Sequence, residues 1–169
     1  TTVQAPQLTL KAATVQPPSN NTISNTSNQE VGRFALTAEG DAVRVTKMII
    51  SNVGGAALTG VVDASSIELR DVATDAKLQG TVTLSGNTIT VDSMTNDIAK
   101  DVTQNIKVVF TSVKTLDPYY TQTVILQVAS AGLTTTTVNG GATVTLPVAT
   151  ISGKTYTINV VVPTVTVTA

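Results

Sequence analysis

The sequence predicts an all-β protein, a two-sheet antiparallel β-sandwich, Ig-like or jelly-roll-like in plan, with roughly ten strands. Three observations predict it. Apolar and polar residues alternate along most of the 169-residue chain, the period of strands with one face in a core and the other in water. Threonine makes up about one residue in five, and its branched, stiff side chain suits a half-buried pleated surface. Turn signals built from Gly, Asn, Asp and Pro recur between the alternating runs, as they do in sandwiches. A closed barrel ranks second. With aromatics at 3%, the core must be made of Val, Ile, Leu and Ala, which suffice to fill two inner sheet faces.

Taken in order, residues 6–15 form an N-terminal strand, with Leu8, Leu10 and Ala12 alternating against polar neighbours. Residues 16–30 read as a polar loop, long for a compact domain. Residues 31–38 are a strand carrying Phe34 and Leu36, and Glu39-Gly40-Asp41 is a turn. Residues 42–51 alternate through Val43 and Val45 and end at Asn52-Val53-Gly54-Gly55, a second turn. Residues 65–70 make a short strand. Residues 77–84 and 88–91 flank Ser85-Gly86-Asn87 and form the best hairpin of the sequence. One helical turn is expected near 93–101. Residues 105–113 and 121–128 are the most apolar strands and are expected at the centre. Residues 138–146 and 155–162 complete the set, the latter ended by Pro163. The domain plan is one sandwich over 1–162, followed by a C-terminal strand, 163–169.

Composition excludes several function classes. Charged residues are 12% and the net charge is −1, so no basic surface exists to neutralise a nucleic-acid backbone. No apolar run reaches the length of a membrane span. The chain has no Cys and no His, which removes disulfides, thiolate metal sites, Ser-His triads and the commonest general base. Neither Gly54-Gly55 nor Gly140-Gly141 is followed by the Lys-Ser/Thr of a phosphate loop. A carboxylate-pair hydrolase would draw on Glu39, Asp41 or Glu68, but sugar clefts are usually lined by aromatics, and here there is no Trp. The expectation is a non-enzymatic protein without a cofactor.

The remaining candidates are weak motifs. Asp63, Asp71 and Asp75 are the only grouping that could offer oxygens to Ca²⁺, and solvated turn carboxylates are the better reading. Asn20 and Asn25 stand in Asn-x-Ser/Thr sequons inside the polar loop and could bear glycans. Lys47 and Asn159 could meet in an intramolecular amide crosslink, although a solvent-exposed pair is the simpler expectation. Tyr119-Tyr120 follow Asp117-Pro118 and could face a surface glycan. The chain starts at Thr1 rather than Met. With the Thr-rich, low-charge composition, this predicts secretion through a cleaved signal peptide and an extracellular, cell-surface location.

One internal echo stands out. Pro6-Gln7-Leu8-Thr9-Leu10-Lys11-Ala12 and Pro163-Thr164-Val165-Thr166-Val167-Thr168-Ala169 share the order Pro, polar, aliphatic, Thr, aliphatic, polar, Ala. Coincidence in a Thr/Val-rich chain is one reading, and the start of a next tandem domain is another. In the third, one segment leaves its own subunit and completes a neighbour's sheet. Strand exchange would then be carried by Leu8, Leu10, Ala12, Val165 and Val167.

The run from Gln29 to Lys47, with Val31-Gly32-Arg33-Phe34-Ala35-Leu36, the Gly40-Asp41 turn and Val43-Arg44-Val45-Thr46-Lys47, resembles the start of β-sandwich domains in prokaryotic cell-surface proteins. Ser66 to Asp71 and the hairpin from Gly80 to Val91 extend the resemblance across about residues 6–128. It is looser toward donor-strand pilins and extracellular fibre subunits. The resemblance implies surface layers, stalks or pilus-like fibres, with copies of the chain itself as partners and no catalytic residues. The expected function is a structural subunit of an extracellular filament assembled by β-strand complementation. The alternative is a monomeric spacer or carbohydrate-binding module of a cell-surface or surface-layer protein.

Overall fold

The computed structural model describes residues 3–16, 21–23, 28–114, 122–158 and 166–168. Among these, thirteen strands run through the chain: β1 (Gln7–Ala12), β2 (Asn21–Ile23), β3 (Gln29–Glu39), β4 (Val43–Asn52), β5 (Ile67–Asp71), β6 (Thr81–Ser85), β7 (Thr88–Asp92), β8 (Asn96–Ile98), β9 (Thr103–Phe110), β10 (Gln122–Val124), β11 (Leu126–Thr137), β12 (Thr150–Ser152) and β13 (Tyr156–Ile158). The helical content is one turn, α1 (Leu58–Val61), and a 3-10 turn, Ala64–Ser66.

Two large sheets form a sandwich-like all-β fold. One has the order β1-β3-β9-β5. The other has the order β12-β11-β4-β7-β6, with β8 also paired to β4. The inner faces meet in one apolar cluster. Phe34, Leu36, Leu69, Ile106 and Val108 of the first sheet pack with Val45, Met48, Ile50, Ile89 and Val128 of the second. A third, smaller sheet, β10-β13-β2, includes a parallel pairing of β13 with β2.

Alternation explains most of this. Along β4 buried and half-buried residues alternate with one break, at Thr46-Lys47, and Val43, Val45, Met48 and Ile50 are buried. The break is a bulge. Lys47 pairs with Thr134 and Val45 with Thr135, so Thr46 is the extra residue. Its carbonyl accepts the Met94 amide at 2.9 Å. At this point β4 exchanges one neighbour for another, β8 beside Val43–Val45 and β7 beside Met48–Ser51. A bulge bends a strand and re-aims its side chains, which lets one long strand serve two partners.

The structure departs from the sequence expectation at several elements. Residues 16–30 are not wholly loop, since β2 and the start of β3 fall inside them. The helical turn expected near 93–101 is instead β8, entered through Ser93 with φ of 54°. The helical turns lie at 58–66, so Ser65 and Ser66 belong to a 3-10 turn rather than to a strand. Residues 138–146 contain a turn and one bridge at Thr145, not a strand. The strand density sits earlier, in β11, which runs twelve residues to Thr137. Between Val128 and Leu133, β11 bulges away from β4 while Ala129 pairs with Thr150 of β12. Gly132 lies where a Cβ would come within 3.2 Å of Ile49, so a small residue lets the bulged chain cross β4.

Candidate functional site

The terminal segments carry the strand-exchange candidates. Leu8 and Leu10 are buried in the chain's own core, on β1 antiparallel to β3, with Leu8 opposite Ala38 and Leu10 opposite Leu36. Ala12 is exposed and Ala13 takes the next buried position. At the other terminus, Val167 is 85% exposed and residues 166–168 belong to no strand. Val165 lies outside the described residues, as do Asn20, Asn25, Tyr119, Tyr120 and Asn159.

The three aspartates divide between two places. Asp63 faces Lys114 at 2.9 Å. Asp71 closes the turn after β5. Its Oδ1 accepts the amides of Ala73 (2.9 Å) and Thr74 (3.0 Å) and the Thr74 hydroxyl, and its Oδ2 accepts Gln104 Nε2 at 2.9 Å. Burial opposes the charge on Asp71, but these bonds outweigh it and hold the carboxyl below the ordinary aspartate range. Asp75, at the end of the same turn, accepts from Lys107 at 2.7 Å and lies 3.5 Å from Arg70. Among the described residues no three acidic groups converge as a metal cage would require.

These contacts are part of a charge network on the outer face of β5 and β9. Glu68 receives Arg70 at 2.7 Å and Lys77 at 3.3 Å, so the chain of contacts runs Lys77, Glu68, Arg70, Asp75, Lys107. The Arg70 hydrogen bond lowers the Glu68 pKa, and the Lys107 hydrogen bond lowers that of Asp75. Glu68 therefore stands as a structural carboxylate with cations on it. Of the other hydrolase candidates, Glu39 accepts Gln4 Nε2 at 3.3 Å and Asp41 Oδ1 accepts the Ala42 amide at 2.7 Å. The β3–β4 turn separates these two from Glu68 on β5. Lys47 pairs with Asp92 at 3.4 Å on the surface, which gives it a carboxylate partner rather than a buried amide.

Sequence reasoning missed a second feature of the first sheet. Glu30 and Arg33 are three residues apart on β3, a spacing that would put them on opposite faces of a regular strand. Val31 is an extra residue there, since Glu30 pairs with Val109 and Gly32 with Val108. The bulge returns Arg33 to the face of Glu30, and the guanidinium engages both carboxylate oxygens. The only sequence signal was the break in alternation at Val31-Gly32. Near this pair lies Tyr156, fully buried on β13, whose hydroxyl has no hydrogen-bond partner among the described residues. Burial, with the charge of Glu30 adding to it, pushes its pKa up to about 12.

A shallow groove of about 460 Å³ lies between the turn after β5 and the β8–β9 connection. Asp71, Asp97, Gln104 and Asn105 contribute polar groups to it. Gln104 is held by Asn96 at 2.7 Å, and Asp97 takes a two-point contact from Arg44 at 2.6 and 2.8 Å. The polar groups of the groove are thus largely engaged with one another.

No family model and no curated protein matches this sequence. Solved structures offer remote likenesses. One is a family 123 glycoside hydrolase from Clostridium perfringens, with 7% identity, a TM-score of 0.41, and coverage of 94% of this chain and 28% of that one. A DUF4466 family protein from Parabacteroides merdae gives 14% identity, a TM-score of 0.35, and coverage of 93% and 46%. AvmM, which catalyses macrocyclization in alchivemycin A biosynthesis, gives 6% identity, a TM-score of 0.37, and coverage of 96% and 92%. The chain therefore spans less than half the length of the first two. Similarity at this level carries no argument about activity. No helix among the described residues is long and apolar enough to cross a membrane.

Proposed function

We propose that this chain is a non-enzymatic structural subunit that associates with copies of itself by β-strand addition, building a filament at the cell surface. The observation that carries the reading is the C-terminal segment. It alternates Thr and Val, begins after a proline, and leaves Val167 85% exposed outside any strand. A segment with this alternation gains backbone hydrogen bonds and side-chain burial by joining a sheet. The N-terminal counterpart, β1, already fills its own sheet with Leu8 and Leu10, so the donor role falls to the segment bearing Val165 and Val167. Passed from copy to copy, such a contact is heterologous and does not close, and it grows a fibre. The likeness of residues 29–47 to surface-protein sandwich domains supports the same reading, as does the chain's low charge.

Negative-stain microscopy of the purified chain tests it. Filaments are expected, and they should be absent from a variant lacking residues 163–169 whose melting curve matches that of the full chain. A full-length chain that shows only isolated particles would favour the monomeric spacer instead.

A further inference from the structure

A donor needs an acceptor, and the edges of the two large sheets differ in how they are covered. The outer edge of β5 is occupied. Leu78 donates to the Leu69 carbonyl at 2.8 Å, and Asp71 donates to Ala76 at 2.9 Å. The outer edge of β1 is taken at its start by Thr145, which accepts from Leu8 at 3.0 Å and donates to Pro6 at 2.9 Å. Further along, β1 carries Lys11, a charge of the kind that discourages strand pairing. The β12 edge is only three residues long.

Among the described residues β6 has none of these protections. Thr81-Val82-Thr83-Leu84-Ser85 contains no charge and no proline, and its five residues pair with β7 without a bulge. The hairpin turns through Gly86, at φ of 57°, and Asn87. The Asn87 carbonyl accepts the Asn52 amide of β4 at 2.8 Å. Backbone groups alternate in direction along a strand, so Ile89 and Val91 also point to β4, and Thr88, Thr90 and Asp92 point to β6. Their register partners Ser85, Thr83 and Thr81 face β7 in return. The N–H and C=O groups of Val82 and Leu84 are left pointing outward, with no partner among the described residues. α1 and the 3-10 turn pack against β6; Thr59, Gly60 and Ser65 are exposed there, and the charged pair of that stretch, Asp63 with Lys114, is internally matched.

We infer that β6 is the acceptor edge, and that its occupant is the Val167-bearing C-terminal segment of a second copy of this chain. The two match in composition, since each is uncharged and each alternates Thr with an aliphatic residue, and the β6 edge has backbone groups without partners among the described residues. The added strand would satisfy Val82 and Leu84 and place Val167 beside Leu84 or Val82 at the rim of the core. This inference rests on the self-assembly reading and names the surface on which it acts.

The absence of cysteine makes disulfide trapping a clean test, because adjacent strands lie within the reach of a disulfide. A Thr83→Cys chain is mixed with a Thr166→Cys or Thr168→Cys chain under mild oxidation. Hydrogen exchange at Val82 and Leu84 is followed in parallel, at high and low concentration of the unmodified chain. The expected result is a mixed disulfide between the two variants, with slowed exchange at both amides that is lost when residues 163–169 are deleted. Thr83-to-Thr83 disulfides alone would show β6 pairing with itself and overturn the inference. Filaments that form without trapping and without protection at Val82 and Leu84 would overturn β6 as acceptor while leaving self-assembly standing. A chain that stays monomeric, and whose two amides are unprotected even with added peptide of sequence 163–169, would remove both.

Discussion

At the scale of residues, the fold depends on a few polar groups placed where the backbone runs out of partners. Asn52 is buried at the end of β4. Its Nδ2 donates to the Ala56 carbonyl at 2.7 Å, and its Oδ1 accepts the amides of Gly54 at 3.0 Å and Ile125 at 2.9 Å. One side chain thereby ties β4, the following turn and the start of β11 together. Asn52→Ala would strand three backbone groups, and a loss of about 2–4 kcal/mol in urea denaturation is expected. Tyr156 is the opposite case, a buried hydroxyl with no partner among the described residues. Tyr156→Phe should leave stability unchanged or raise it by about 1 kcal/mol, because only an unsatisfied group is removed. The raised pKa has a second consequence. The folded state holds the phenol proton up to about pH 12, whereas an unfolded tyrosine releases it near pH ~10. Stability from this group is complete below the lower value and is lost as pH climbs to the higher one. Tyr156→Phe should blunt that alkaline loss in a melting-temperature series.

The acidic side has the reverse sign. Glu68, Asp71, Asp75 and Asp97 are all held below their ordinary values, through Arg70 for Glu68, the Gln104 and Thr74 bonds for Asp71, Lys107 for Asp75 and Arg44 for Asp97. Groups with depressed pKa values stabilise the fold above their unfolded values and lose that contribution as pH falls through the folded ones. Melting temperatures should therefore hold from neutrality to about pH 4 and fall below it. A melting temperature that rose on acidification would contradict the charge network as described.

At the scale of elements, close backbone approaches show which connections are fixed. A Cβ on Gly54 would lie 2.3 Å from the Thr123 carbonyl oxygen. Gly54→Ala must push β10 away from the β4 turn, and a cost of about 1–3 kcal/mol is expected from denaturant midpoints. Elements that were legible in the sequence share one property: their alternation is uninterrupted. β1, β5 and the β6–β7 hairpin exist where the residue pattern puts them, although β1 stops three residues early, β5 starts two residues late and β6 four, and Ser85-Gly86-Asn87 announced its turn correctly. Elements that were missed have bulges or lean on distant partners. β11 reads Leu-Gln-Val-Ala-Ser-Ala-Gly-Leu-Thr-Thr-Thr-Thr, and its alternation dissolves where four residues bulge between β4 and β12. Residues 138–146 alternate well, but beyond the Thr137–Ala142 turn their backbone bonding reduces to one bridge with β1. Alternation records which side chains could face a core; it does not record whether a neighbouring strand is present. The site was legible to the same degree. The alternation of residues 163–169 is visible in the residues themselves, whereas the exposure of Val167 comes from the structure. The free edge of β6 was not, because it follows from which strand ends each sheet.

At the scale of the whole molecule, the two sheets end differently on their two sides. Near β1 the rim is strapped by Thr145, and near β5 by Leu78. At β6 the rim ends in four backbone groups without partners among the described residues and in Thr side chains facing solvent. A chain with 12% charged residues and a net charge of −1 offers little repulsion between copies. Contact between unlike surfaces, a segment on one copy and an edge on the next, has no built-in limit on the number of subunits. The most direct measurement is sedimentation velocity of the full chain over a wide concentration range. The account predicts a sedimentation coefficient that keeps increasing with concentration and collapses to that of a single truncated chain when residues 163–169 are removed. A single 17.4 kDa species at every concentration of the full chain would contradict it.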